Sequence, residues 1–86
     1  MRLALTKSFE KDYKKLPRVV QKQCDRQLFT LLNNPHSSSL RTSKIQGFKN
    51  IWEGRVTKEY RFTFQIAKDV YFIRRVGKHN GVLRKP

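Results

Sequence analysis

The hydrophobic period of this chain switches once, and that switch limits what the chain can fold into. Phe9, Tyr13 and Leu16 recur at i, i+4 and i+7, the spacing of one helical face. Ser8 stands where it can cap that helix. Pro17 breaks it and is well placed to begin another. Val20, Cys24, Leu28 and Leu31 form a second stripe, with Val19 and Leu32 beside it. The spacing predicts a helix over 18–33, stopped by Asn33-Asn34-Pro35. Residues 36–43 are a polar connector without periodicity, and after it the period becomes two.

Tyr60, Phe62, Phe64 and Ile66 fall on one face of a strand, with Arg61, Thr63 and Gln65 on the other. Strands are also expected over 51–57 and 70–76, joined through the short turns 58–59 and 67–69. Residues 2–6 suit a short first strand with Leu3 and Leu5 on one face. Lys44-Ile45-Gln46 suits another, with a bend at Gly47. The expected fold is α+β in two layers: an N-terminal strand and a helical hairpin packed on an antiparallel meander, one domain over 1–86.

Charge narrows the function. Twenty Lys and Arg against six Asp and Glu leave a net charge of +14 on 86 residues. Such a body repels itself unless it meets a polyanion. The excess is spread out: nine basic and three acidic residues in the first 43, eleven and three in the last 43. An aromatic content of 12% argues against a disordered basic tail. No apolar run approaches the roughly 20 residues of a membrane span, and Lys7 interrupts the N-terminal apolar residues too early for a secretory signal. No membrane partner is therefore expected. The lone Cys24 suits a reducing cytoplasm and reads as a buried structural thiol rather than a nucleophile. One Cys with distant His36 and His79 gives no metal-ligand spacing, and no Gly-rich phosphate loop is present. No metal or cofactor is expected. His36 reads as an exposed loop residue.

Strand parity identifies the candidate site. If Trp52, Val56, Phe62 and Phe64 pack beneath the helices, then Glu53, Arg55 and Arg61 emerge together on an uncovered face. Trp52 and Tyr60 read as core residues. Tyr71 can face either way, because Arg74-Arg75 makes the parity of the last strand ambiguous. With Val76 inward, Arg75 projects outward, and a bend at Gly77 swings His79 over the same face. Arginine grips phosphate bidentately, and histidine moves protons near neutral pH. Those are the parts that metal-free cleavage of an RNA phosphodiester needs. Glu53 suits either proton transfer or a cross-sheet ion pair. The candidate catalytic residues are Arg61, His79, Glu53 and Arg55. The candidate RNA or phosphate contacts are Lys44, Lys49, Arg75, Lys78, Arg84 and Lys85.

The motifs Phe9-x3-Tyr13-x2-Leu16-Pro17, Gly47-x4-Trp52-Glu53-x-Arg55-Val56, Tyr60-Arg61-Phe62 and Arg75-Val76-Gly77-Lys78-His79-Asn80 resemble the RelE/ParE superfamily of type II toxin–antitoxin systems. The likeness spans nearly the whole chain and leans to the RelE/YafQ-like mRNA interferases. It implies an endoribonuclease that cuts mRNA at the ribosome, amid rRNA, without metal. It also implies neutralisation by a cognate acidic antitoxin. By the resemblance, Arg61 stabilises the phosphate and transition state. Arg55 and Glu53 match outward positions of the preceding strand, and His79 matches a general acid or leaving-group stabiliser. Leu83 stands where many nuclease members carry Tyr or Phe. The alternatives are a ParE-like inhibitor of DNA gyrase, which does not need His79, and a plain RNA-binding module.

Overall fold

The computed structural model describes residues 1–86. In chain order the elements are β1 (Arg2–Leu5), α1 (Lys7–Lys14), α2 (Arg18–Asn33), a 3-10 turn (Ser38–Leu40), β2 (Ser43–Lys44), β3 (Trp52–Arg55), β4 (Tyr60–Ala67), β5 (Val70–Lys78) and α3 (His79–Arg84). The strands form a single sheet ordered β1-β5-β4-β3-β2. The meander β2–β5 is antiparallel as expected. β1, however, joins β5 in parallel, which makes the sheet mixed. That pairing joins the two ends of the chain, and no local pattern encodes it.

The helical hairpin follows the sequence closely. α2 spans Arg18–Asn33, with Pro17 as its N-cap residue and Val20, Cys24, Leu28 and Leu31 buried. The cap of α1 is Thr6 rather than Ser8. Its Oγ1 accepts from the Phe9 amide at 3.2 Å and also lies 2.9 Å from the Ile73 carbonyl, to which it can donate. One hydroxyl thus starts the helix and ties it to β5. Across the hairpin the Tyr13 hydroxyl donates to Asp25 Oδ1 at 2.7 Å. That bond, reinforced by burial, pushes the phenol up to about 12. On α2, Val19 stays exposed beside the buried stripe.

Thirteen residues make one core between the helices and the sheet, including Phe9, Cys24, Leu31, Phe62, Phe64 and Ile73. Trp52 and Tyr60 pack against it half-buried. Leu40, inside the otherwise polar connector, is fully buried and pins that segment to the core. Ile66 and Leu5 share strand faces with residues that pack on the core, yet remain substantially exposed at its margins.

A β-bulge settles the parity of β5. Thr63 pairs with Arg75 and Phe64 with Ile73, so Arg74 is the extra residue. Tyr71 and Ile73 below the bulge and Val76 above it can then all face the core, as their burial shows.

Candidate functional site

β3 lies against β4 through a missing side chain. A Cβ on Gly54 would stand 2.3 Å from Phe62 Cζ and 2.6 Å from Cε1. Gly54 pairs with Phe62 in the ladder, so the ring occupies the room that glycine leaves. The residues on either side of Gly54, Glu53 and Arg55, face the opposite way. Arg55 pairs directly with Arg61, and Glu53 with Thr63. Glu53 Oε1 lies 3.7 Å from Arg61 Nε. The expected convergence of Glu53, Arg55 and Arg61 is therefore present.

Arg61 is held by its own turn. Its Nη1 donates to the Lys58 and Tyr60 carbonyls at 3.0 Å and, closer still, to the Thr57 carbonyl. Nη2 carries no hydrogen bond within the chain. The side chain is only 16% exposed. Burial lowers its pKa from the ordinary arginine value. The Arg55 and Arg41 charges add to the shift, and Glu53 opposes it. A guanidinium keeps its proton regardless, and the direction of the shift reflects burial and neighbouring cations that Glu53 only partly offsets.

Arg41 belongs to this cluster, although the sequence reading passed over it. It sits in the left-handed region, φ 46°, immediately after buried Leu40. The isolated Leu in a polar run was the available signal. Gln27 was also missed. Buried on α2, its Nε2 donates to the Arg55 carbonyl at 2.8 Å and the Ser39 carbonyl at 3.1 Å. It thereby braces β3 and the segment leading to Arg41. The Arg61 guanidinium thus feels the charges of Arg55 and Arg41 as well as the Glu53 carboxylate, and the four side chains sum to +2, a balance that suits an anion.

The rest of the face departs from expectation. It is not uncovered: Thr63 is fully buried there, and its Oγ1 donates to the Pro86 carbonyl at 2.9 Å. Gly77 is not the bend. It lies within β5 opposite Arg61, and a Cβ on it would meet Val82 Cγ2 at 2.9 Å. Glycine is needed here for the seating of α3. The chain turns instead at His79, the first residue of α3. The His79 amide donates to the Glu59 carbonyl at 2.9 Å, which fixes its backbone at the β3–β4 turn that cradles Arg61. Its side chain is exposed and makes no hydrogen bond.

Of the remaining predicted contacts, Lys44 is exposed on edge strand β2, one residue along from the partner of Glu53. Lys49 is exposed in the loop before β3, and Lys78 at the end of β5. Arg84 and Lys85 line a separate cleft. Arg75 turns to α1. Its Nε donates to Asp12 Oδ2 at 2.6 Å and its Nη2 to Oδ1 at 3.3 Å, while Asp12 Oδ2 also accepts from the Val76 amide at 3.2 Å. That pairing raises the Arg75 pKa above its ordinary value. His36 is exposed, as expected. No three His, Cys, Asp or Glu side chains gather where they could hold a metal ion. No helix is long and apolar enough to cross a membrane.

The fold and site define a class: a small basic α+β domain with an arginine cradle at one end of its sheet. Residues 3–83 match the family model described as ParE toxin of type II toxin–antitoxin system, parDE, and the chain belongs to that family, within the RelE/ParE toxin superfamily. Among solved structures it is similar to a YoeB/ParE toxin from Agrobacterium tumefaciens (18% identity, TM-score 0.77, 92% of this chain and 99% of that one). It is similar to YafQ from E. coli BL21(DE3) (17% identity, TM-score 0.74, 93% and 94%). It is also similar to the RelB–RelE antitoxin–toxin complex from Methanococcus jannaschii (23% identity, TM-score 0.76, 95% and 96%). Among curated proteins no match is found.

Proposed function

We propose that this type II toxin is an endoribonuclease that cleaves mRNA on the ribosome, in the cytoplasm, with protein side chains supplying the chemistry. The observation that carries the reading is the placement of Arg55 directly opposite Arg61. Like charges facing each other across an antiparallel pair destabilise a sheet. Their presence at a site braced by Gln27 and three turn carbonyls makes sense if an anion completes it.

In this mechanism Arg61 Nη2, Arg55 and Arg41 bind the non-bridging oxygens of the scissile phosphate. Glu53 removes the 2′-hydroxyl proton, the 2′-oxygen attacks phosphorus, and the bond to the 5′-oxygen breaks. His79 gives that oxygen its proton. The products are a 2′,3′-cyclic phosphate and a 5′-hydroxyl, so atoms and charge balance. Lys44, Lys49, Lys78, Arg84 and Lys85 contribute to holding the polyanion, and Arg75 contributes chiefly by fixing α1 to β5. The likeness to YafQ and RelE supports this reading.

The test is cleavage of ribosome-bound mRNA by purified protein. Removing one preorganised charge-stabilising donor costs about 100- to 1,000-fold in rate. Arg61→Ala should fall in that range and His79→Ala should lose most activity, with both variants folded. Full cleavage by both would overturn the mechanism. The family description as ParE favours a second reading, inhibition of DNA gyrase. That activity leaves mRNA intact and does not depend on His79. In either case the partner is an acidic antitoxin, matched to the +14 charge. The similar RelB–RelE structure is an antitoxin–toxin complex, and the similar DinJ–YafQ structure is a complex as well.

A further inference from the structure

A second basic site lies beside the arginine cradle. A cleft of about 460 Å³ opens between the loop before β3, the bulge of β5 and the C-terminal residues. Arg74, Arg75, Arg84 and Lys85 line it together with Phe48 and Ile51, and no acidic residue does. Arg75 is engaged with Asp12, which leaves three cations for a ligand. Arg74 is preorganised: Nε donates to the Pro86 carbonyl at 3.2 Å and Nη1 to Gln65 Oε1 at 3.0 Å, and Nη2 is unpaired. Ile51 is buried, whereas Phe48 is 41% exposed, an aromatic ring presented among cations.

The cleft and the cradle are neighbours on the sheet, separated by the C-terminal residue. Thr63 shares the outward parity of Arg61, and both Thr63 and Arg74 donate to the Pro86 carbonyl. That carbonyl is the boundary between the two sites. Arg61 and Gln65, the partner of Arg74, are four residues apart on β4, about 13 Å along a strand. A few nucleotides of extended RNA cover that distance.

We propose that this cleft is a nucleotide subsite for single-stranded RNA flanking the cleaved bond, with one base stacked on Phe48 and its phosphate on Arg74, Arg84 and Lys85. An exposed aromatic ring ringed by cations is the arrangement that binds single strands without sequence readout. The inference rests on the ribonuclease reading only for the identity of the polymer.

The test uses a fluorescently labelled pentanucleotide with 2′-O-methyl groups throughout. It lacks the 2′-hydroxyl nucleophile and cannot be cut, so its affinity is read by anisotropy. Phe48→Ala should bind it about 5- to 150-fold more weakly, the range for loss of one stacked base. Phe48→Tyr should restore affinity to within about twofold, because the π-face returns. Arg84→Gln should reduce the slope of log affinity against log salt by about 0.7. Each variant is first shown to retain the wild-type melting temperature. Wild-type affinity in Phe48→Ala, failure of Phe48→Tyr to restore it, or an oligonucleotide displaced only by an acidic peptide that itself needs Phe48 would overturn the proposal. The two readings fail separately. A protein that binds the oligonucleotide through Phe48 yet leaves mRNA intact refutes the nuclease and keeps the subsite. One that cuts mRNA with Phe48→Ala binding unchanged does the reverse.

Discussion

Replacing Gly54 by alanine tests how the site is built. The added Cβ would stand 2.3 to 3.0 Å from three atoms of the Phe62 ring, well inside carbon–carbon contact. The ring has nowhere to go: Phe62 is fully buried, with the tilted ring of Phe64 centred 5.6 Å away. Overpacking of this kind costs typically 1–3 kcal/mol, and the fixed ring argues for the upper half of that range. Alanine recovers about 0.5 kcal/mol by restricting the unfolded chain. The net loss is about 2 kcal/mol, or roughly 8–16 °C in melting temperature for a domain of this size. Gly81→Ala is the control. It lies within α3 with nothing within 4 Å of an added Cβ, so it should stabilise by up to about 1 kcal/mol. Thermal unfolding by circular dichroism reads both. Because Glu53 and Arg55 flank Gly54, the same substitution should weaken binding of the 2′-O-methyl oligonucleotide even below the transition. A Gly54→Ala melting temperature within about 2 °C of wild type would mean that Phe62 is not seated over β3, and the account of how the cradle is positioned would fail.

Gln27→Ala should cost about 1–3 kcal/mol, because the part-buried Arg55 and Ser39 carbonyls lose their donor, and should weaken anion binding by freeing Arg55; urea unfolding and oligonucleotide affinity check the two effects, and unchanged affinity would remove Gln27 from the site. Asp12→Ala breaks the fork to Arg75 and strands the Val76 amide, with an expected loss of about 2–3 kcal/mol in urea unfolding; a loss below about 0.5 kcal/mol would show that the pair does not fix α1 to β5. Burial, with a smaller contribution from Asp25, pushes the Cys24 thiol from 9.0 up to about 12. The folded state therefore favours the neutral thiol, and this contribution to stability is complete below pH 9 and lost as the pH climbs toward 12. Alkylation by iodoacetamide at pH 8 should follow global unfolding, and rapid reaction of the native protein would contradict the burial.

Local pattern carried the helices and the inner strands. The boundaries of α2 follow from Pro17 and Asn33-Asn34-Pro35, and the parity of β4 from alternating aromatics. That parity was enough to put Glu53, Arg55 and Arg61 on one face. What stayed hidden depends on partners far along the chain. The parallel pairing of β1 with β5, the covering of Thr63 by Pro86 and the capture of Arg75 by Asp12 each join residues separated by more than 20 positions. The bulge at Arg74 defeats a parity count outright, since one extra residue reverses every later side chain. Arg41 was missed for another reason: a loop residue in the left-handed region has no periodicity to betray it. The separation of roles among the glycines was also illegible. Gly77 reads as a bend and Gly54 as an ordinary strand position, but both are places where another side chain comes close.

The two ion pairs show how one composition serves two purposes. Arg75 and Asp12 meet at 2.6 Å with further bonds to Val76, a compact arrangement that satisfies both charges and binds a helix to a strand. Arg61 and Glu53 stay 3.7 Å apart, and the charges of Arg55 and Arg41 also act on Arg61. One carboxylate cannot neutralise three cations, so this pair leaves charge unsatisfied by construction. The turn carbonyls hold Arg61 in place before any ligand arrives, and the orientation that an anion needs is already set. The destabilisation from self-repulsion is borne in the free protein, and a phosphate entering the cradle removes it. An excess that would merely make the surface sticky if spread evenly becomes, at this one end of the sheet, a preorganised field with a carboxylate and an imidazole-bearing turn beside it.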